Sequence, residues 1–274
     1  MIYYRSVLEK KPFQPVSFAD GTIEQLKEML DAHYAGKINI HDYWSVGDSR
    51  DIRLSSMSAE YVAESYNYED YPGEYNRGMN TIVLTNAGGK YLTDRSTECA
   101  FQFDIKYVLN NGYTTSQSAN WKTTAASPNN GYINNSTSTV GGWKECARRK
   151  WCNDTLLGGL GSFSTLLKKH INYTGVGNGV DSVEETEDWL ALRSMVEIMG
   201  TNTFSASGEG SQVEYYRDSA NRKGYAWNYN AEYWLRSPTV YNGRTNLWCV
   251  ITTSPSANAK TPNTNDGIKF FGCI

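Results

Sequence analysis

Cysteines and histidines are the first residues in this sequence to consider for metal or nucleophilic chemistry. Cys146 and Cys152 flank five residues, a wider spacing than zinc-binding pairs use, and no second pair matches them. His33, His41 and His170 have no obvious serine or cysteine partner in the sequence, so surface or helix-end positions suit them better. The sequence therefore predicts neither a metal site nor a nucleophile paired with a base.

An acidic run could bind calcium or provide a pair of catalytic carboxylates. It consists of Glu184, Glu185, Glu187 and Asp188. Such runs are usually solvated loops, and we interpret this one in the same way. The glycine-rich residues 158–161 lack the Lys-Ser/Thr pair of a phosphate-binding loop. We therefore expect no catalytic residue, no cofactor and no enzymatic activity.

The segment 239–266 favours binding instead. It is rich in Tyr, Trp, Arg, Ser and Asn, which combine rigid contact area with adaptable hydrogen bonds in binding surfaces. The aromatic box 233–238 and the apolar strand 267–274 flank the segment as a frame. The candidate ligand-binding residues are Tyr241, Asn242, Arg244, Asn246, Trp248, Thr252, Ser254, Ser256, Asn258, Lys260, Asn263 and Asn265. The alternative to a binding surface is that 239–266 consists of solvated polar loops that bind no ligand.

Composition limits the partners of the chain. Its 274 residues carry a formal net charge of -3, which argues against nucleic acid and anionic membranes, since both attract basic surfaces. No stretch is apolar enough to span a bilayer, and the N-terminus lacks the apolar core of a signal peptide. We therefore expect the protein to be synthesised in a cytoplasm and not to insert into a membrane. Five cysteines are too few and odd in number for a disulfide scaffold, so buried thiols are expected.

Hydrophobic periodicity predicts an α+β fold with short antiparallel strands, two or more helices and long irregular loops. Helices are predicted at 22–34, with Asp20 as its N-cap, at 143–157 and at 163–170, and the apolar residues 190–199 suit either a strand or a short helix. Strands are predicted at 51–54, 80–84, 99–104, 233–238, 247–251 and 268–274. Loops are predicted at 58–78, 110–142 and 205–230.

The chain divides at about residue 40. Residues 1–40 form an N-terminal lead-in with one amphipathic helix and are a candidate assembly segment. Residues 41–274 form the ligand-binding domain, with its display loops at 239–266.

Several segments together resemble a family of uncharacterised domains from bacteriophages and gut bacteria, whose members resemble phage tail or tail-fibre proteins. The matching segments are 42–48, 141–153, 194–200, 208–212, 233–238 and 267–274. The most specific is Gly-Gly-Trp-Lys-Glu-Cys-Ala-Arg-Arg-Lys-Trp-Cys-Asn at 141–153. The order of the last motifs also resembles the C-type-lectin-like fold of formylglycine-generating enzymes and of the variable proteins of diversity-generating retroelements.

The resemblance implies a C-type-lectin-like receptor-binding protein of a phage tail or tail fibre. Its ligand face would be 241–266, just before the last strand, and it would bind a host-surface protein or glycan. The implied protein is a homo-oligomer, contacts other tail proteins and is located in the virion after synthesis in a bacterial cytoplasm. By the same resemblance, 239–266 would be a hypervariable target.

Two other functions stay open. The first is an enzyme on the same frame, either an oxidase that uses Cys249 and Cys273 or a wall hydrolase that uses the acidic run. The second is a structural virion subunit without a receptor role, in which 1–40 mediates assembly.

Overall fold

The computed structural model describes residues 14–54, 79–109, 133–134, 139–176, 182–226, 229–241, 244–262, 264 and 266–274. These residues confirm the predicted α+β class, because short helices pack beside antiparallel sheets. Within these ranges, no helix combines the length and the apolar character that crossing a membrane requires. The predicted loop at 58–78, most of that at 110–142 and the first thirteen residues lie outside the described residues.

The described elements follow one another with short connections. The helices are α1 (Ile23–Tyr34), α2 (Ala147–Trp151), α3 (Leu157–Gly159) and α4 (Met195–Met199). Four 3-10 helices cover Ile40–Asp42, Gly161–Leu166, Glu214–Arg217 and Ser219–Arg222, and a π-helical turn, Cys152–Leu156, joins α2 to α3. The strands are β1 (Ser49–Arg53), β2 (Met79–Ala87), β3 (Phe101–Ile105), β4 (His170–Gly175), β5 (Val183–Asp188), β6 (Leu190–Leu192), β7 (Gly224–Ala226), β8 (Tyr229–Ala231), β9 (Tyr233–Tyr241), β10 (Arg244–Ile251), β11 (Ala257–Lys260) and β12 (Phe270–Cys273).

Helix α1 forms as predicted and packs into the main core. Its N-cap is Thr22, not Asp20, because Thr22 and Gln25 exchange side-chain to backbone hydrogen bonds in a capping box, whereas the Asp20 carboxylate accepts from Ser17. Its buried residues are Leu26, Met29 and Leu30. The Tyr34 hydroxyl donates to the Ile274 carbonyl at 2.9 Å. The helix therefore shares one core with the C-terminal strand, and the predicted boundary at residue 40 does not separate two cores.

The closing strand lies inside the largest sheet. The strand order is β1-β2-β3-β12-β6, and every neighbouring pair is antiparallel. All four residues of β12 are buried. A strand with neighbours on both sides and cover on both faces buries every side chain, which suits the apolar residues Phe270, Phe271 and Cys273.

The predicted helix at 143–157 begins late and the one at 163–170 ends early. Trp143 lies in a turn before α2, where its indole N–H donates to the buried Asp188 carboxylate at 3.1 Å. The 3-10 helix after α3 ends at Leu166, and His170 begins strand β4 opposite Asp188. Pairing with β5 therefore outweighs the local helical pattern at His170.

The acidic run is a strand, and its prediction as a solvated loop is wrong. It forms β5, and each of its four carboxylates faces a cation. The pairs are Glu184 with Lys144, Glu185 with Arg95, Glu187 with Lys169, and Asp188 with Arg149. Asp188 is fully buried and also accepts from Asn172 and Thr186. The four carboxylates form ion pairs with side chains outside β5, so the acidic run helps to hold the fold together.

Two other segments hold more regular structure than the sequence predicted. Residues 190–199 contain both alternatives, strand β6 and helix α4, and Ser194 separates them as an N-cap that shares a capping box with Glu197. The predicted loop at 205–230 contains two 3-10 helices and the β7–β8 hairpin. Ser194 ends the strand because its hydroxyl accepts from the Glu197 backbone, which starts the helix.

Candidate functional site

The proposed display segment is largely a sheet rather than a set of loops. Strands β9, β10 and β11 pair in the order β11-β10-β9 and cover most of 233–260. Trp248 and Val250 pack into the large core with α1, whereas Cys249 and Ile251 pack into a second core with α4. From Leu247 to Ile251, strand β10 is thus buried on both faces, whereas the residues of β11 are half-buried or exposed.

Trp248 is wrongly predicted as a displayed residue. Its side chain is fully buried in the large core, with an exposed fraction of 0%. The alternation of a strand places Trp248 on the face opposite to Cys249, and both faces of β10 are covered. A large apolar area at such a position stabilises the fold and contacts no ligand.

The remaining candidates divide into exposed, engaged and undescribed residues. Ser254, Ser256 and Asn258 are exposed, and Thr252 is half-buried. The backbones of Tyr241, Arg244 and Asn246 lie in β9 and β10, but their side chains are outside the described part. Asn242, Asn263 and Asn265 are outside it entirely.

The exposed candidates form the tip of the β10–β11 hairpin, residues 252–258. The Thr252 amide donates to the Ser256 carbonyl at 2.9 Å, and the hydroxyls of Thr252 and Ser256 are also 2.9 Å apart. These bonds close the turn, so the hydroxyl of Ser254 and the amide of Asn258 are carried on an ordered backbone. The tip can therefore offer polar groups to a partner with little loss of conformational entropy.

Lys260 links the hairpin to the closing strand and is not free for a ligand. Its ammonium contacts Glu232 and lies 2.7 Å from Asp266. Burial acts to lower the pKa of Lys260, but hydrogen bonds and charge from the two carboxylates outweigh it and raise the pKa. The charge of Lys260 is therefore balanced by carboxylates of the protein itself.

The sequence prediction missed a buried set of charges, the central ionic network, formed by Lys90, Asp104, Arg193, Glu197 and Arg236. The Arg193 guanidinium donates to Asp104 at 2.5 to 3.1 Å, and Arg236 donates to Glu197 at 2.5 Å. Lys90 lies 2.5 Å from the other oxygen of Glu197. Burial acts to raise the pKa of Glu197, but Arg236, Lys90 and Arg193 outweigh it and lower the pKa.

The central ionic network contacts β12 through the aromatic ring of Phe271. The guanidinium carbon of Arg193 lies 3.8 Å from the centre of the Phe271 ring, and the charged groups of Lys90 and Arg236 lie 5.5 and 5.7 Å from it. Buried cations interact favourably with an aromatic face. A sequence signal did exist, because Arg236 and Arg193 interrupt apolar strands, where an unpaired charge would be costly.

Lys269 is a further buried cation, on the strand segment just before β12. Its ammonium lies 5.0 and 5.6 Å from the ring centres of Tyr216 and Tyr233. Burial lowers the pKa of Lys269 to about 8, with Asp104 opposing the effect and Arg193 adding to it. The charged form is therefore disfavoured in the folded protein.

The pH dependence of stability should reveal this lysine. Between pH 8 and the usual lysine value of 10.5, the unfolded chain binds the proton that folded Lys269 has lost, so stability rises with pH there. From pH 8 to pH 10, we expect the unfolding free energy of the native protein to rise by roughly 2 kcal/mol relative to that of Lys269→Met, which lacks the titrating group. Urea denaturation across that range measures it. Exposed Lys37→Met is the control, and parallel curves for Lys269→Met and the native protein would contradict the expectation.

The cysteines confirm the prediction of buried thiols, since all five are free and buried. Cys249 contacts the Met195 sulfur at 4.0 Å and the Phe204 carbonyl at 3.5 Å. Burial raises the pKa of both Cys249 and Cys273. It therefore disfavours the thiolate that metal binding or nucleophilic attack needs. Among the described residues, no group of three His, Cys, Asp or Glu side chains is placed to hold a metal ion.

Comparison with known proteins gives a family but no activity. No curated protein and no solved structure matches the chain significantly. A family model described as "Domain of unknown function (DUF6273)" matches residues 106–270, which is more than half of the chain. That range contains β9, β10 and β11 and the hairpin tip. The chain therefore belongs to the DUF6273 family.

Proposed function

We propose that this protein is a binding domain rather than an enzyme. In this proposal it has a C-type-lectin-like architecture and serves in a phage tail or tail fibre, where it recognises a host-surface protein or glycan. The observation that supports binding most directly is the exposed polar tip at 252–258, which directly follows a stretch of β10, residues 247–251, that is buried on both faces. This combination holds a recognition surface in place without making it part of the core.

The frame explains why the tip would tolerate sequence change. Trp248 and Ile251 belong to different cores, so β10 is fixed from both sides up to the residue before the turn. Ser254, Ser256 and Asn258 are exposed beyond that point, and replacing them alters little buried area. Surface substitutions of this kind change stability by about 0.5 kcal/mol or less. A variable recognition surface therefore fits this position, and several copies on one virion would offset weak binding by each tip.

Substitution of the tip tests the proposal. We expect the double variant Ser254→Arg and Asn258→Arg to bind intact bacterial cells at least about tenfold more weakly than the native protein, since bulk and charge disrupt a complementary surface. Binding of fluorescently labelled protein to a panel of gut bacteria, followed by cytometry, gives the measurement.

The control is Ser162→Arg, which places the same side chain at an exposed position of another element. This variant should keep native binding, and all three proteins should have the same melting temperature. If none of the cells binds the native protein, or if the tip and control variants bind equally well, the receptor role at the tip is wrong and a structural subunit becomes the better interpretation.

A further inference from the structure

We infer that a polar pocket beside the central ionic network binds the carboxylate-bearing sugar unit of an acidic glycan. The pocket has a volume of about 230 Å³ and lies between the end of β2, strand β4, helix α4 and the loop that follows it. Its lining includes Asn86, Lys90, Tyr91, Tyr173, Glu197 and Gln212. A sugar ligand rests on the proposed function, in which a glycan is one of the two receptor classes.

The charge balance beneath the pocket points to an anion. Two further buried charges interact with the central ionic network: Glu209 with Arg236, and Lys269 with Asp104 and Arg193. Together the group has four cations and three carboxylates, and all seven side chains are at least about nine-tenths buried. Glu197 is shared by Arg236 and Lys90, so neither cation has a carboxylate to itself. A buried charge without a full counterion is costly. A ligand carboxylate would supply the missing negative charge.

Lys90 is the member of the network that can meet such a carboxylate, because it lines the pocket. An ammonium has three N–H donors, and the one described ion pair of Lys90 is with Glu197. Burial lowers the pKa of Lys90, and Arg236 and Arg193 contribute to this while Glu197 opposes it. A bound anion would act in the same direction as Glu197 and favour the charged form.

Glu197 gives the same pocket an acceptor. Its Oε1 atom is 2.5 Å from the Lys90 nitrogen, in an ion pair, and has no other partner among the described residues. The residue is almost completely buried and lines the cavity. A sugar hydroxyl beside the carboxylate could donate to Oε1, so the pocket offers both a cation and an acceptor at its base.

Two tyrosines give the pocket an aromatic rim. Tyr91 and Tyr173 are 50% and 41% exposed, among the most exposed of the described large rings, and both line the pocket. The Ile171 amide donates to the Tyr91 carbonyl at 2.9 Å, and Tyr173 lies two residues further along β4, on the same side as Ile171. Tyrosine offers an apolar face and a polar tip, which suits a pyranose ring with its C–H faces and hydroxyls.

The polar walls are already held in position. The Asn86 side chain donates to the Gly88 carbonyl at 3.2 Å and accepts from the Glu214 amide at 3.0 Å. The Gln212 amide donates to the carbonyls of Ile198 and Tyr216 at 3.1 and 3.3 Å. These bonds fix both side chains before any ligand arrives, so binding would cost little ordering of the walls.

Titration with free sugars tests the pocket. We expect glucuronate to bind the full chain and glucose and acetate each to bind at least about tenfold more weakly, since glucose lacks the carboxylate and acetate lacks the ring. Calorimetry or tyrosine fluorescence measures the affinities. Lys90→Gln should abolish the preference for glucuronate over glucose.

Tyr91→Ala keeps the test valid if Lys90→Gln fails to fold, because Tyr91 is half exposed and its loss should leave stability close to native. This variant should bind glucuronate several-fold more weakly. The tip variant Ser254→Arg/Asn258→Arg should bind glucuronate as the native protein does, which separates the pocket from the tip. Equal affinity for glucose and glucuronate, no binding of glucuronate, or full binding by Tyr91→Ala would each overturn the assignment.

Discussion

Replacing Arg193 with methionine is expected to destabilise the protein by about 3 to 5 kcal/mol, the usual cost of breaking a buried ion pair on one side. The side chain is 1% exposed and donates to Asp104, Gln102 and Thr85. Methionine matches its length approximately but leaves the Asp104 carboxylate without its cation. Urea denaturation monitored by tryptophan fluorescence would measure the loss of unfolding free energy.

Two further variants identify the cause. Lys27→Met breaks an ion pair whose side chains are both more than half exposed, Lys27 with Asp31, and should cost less than about 1 kcal/mol. The double variant Arg193→Met and Asp104→Asn removes both charges and should regain part of the loss. An Arg193→Met protein as stable as Lys27→Met would mean that the central ionic network does not hold β3, β6 and β12 together.

Trp248→Ala is expected to cost about 3 to 5 kcal/mol, because a fully buried tryptophan leaves a large cavity when it is truncated. The same residue was a candidate for ligand contact, so the two roles make different predictions. Truncating a core residue lowers the melting temperature, whereas truncating a displayed residue lowers binding alone. Thermal unfolding and cell binding should therefore be measured on the same preparation.

Trp248→Phe is the matched control. The indole nitrogen has no hydrogen-bond partner among the described residues, so phenylalanine loses packing volume but no hydrogen bond. We expect this variant to fold and to lose much less stability than the alanine variant. If Trp248→Ala instead keeps native stability and loses cell binding, the assignment of Trp248 to the core fails.

Residue patterns in the sequence predicted several elements because the physics of those elements is local. The spacing of Leu26, Met29 and Leu30 predicts α1, and the structure buries all three. The apolar runs at 247–251 and 268–274 predict strands, and both occur. The odd and small number of cysteines argued against a disulfide scaffold, and all five thiols are free. None of these predictions needs to know which elements lie side by side.

Other predictions failed where distant partners decide the outcome. The repeated carboxylates from Glu184 to Asp188 resemble a solvated loop until Arg95, Lys169 and Arg149 are placed opposite them. Asp20 and Thr22 are both acceptable N-caps, and only the Gln25 hydrogen bonds select Thr22. Periodicity ranks such alternatives equally because it contains no information about long-range pairing.

The sequence alone determined that this chain is an α+β protein whose C-terminal strand is apolar on both faces and whose polar segment before that strand is exposed in part. Only the tertiary structure decided which residues of that segment reach solvent. Trp248 and Ser254 lie six residues apart, yet one is in the core and the other on the hairpin tip. The physical reason is that each face of β10 faces a different core, and those cores are built from distant parts of the chain, with α1 contributing to one and α4 to the other.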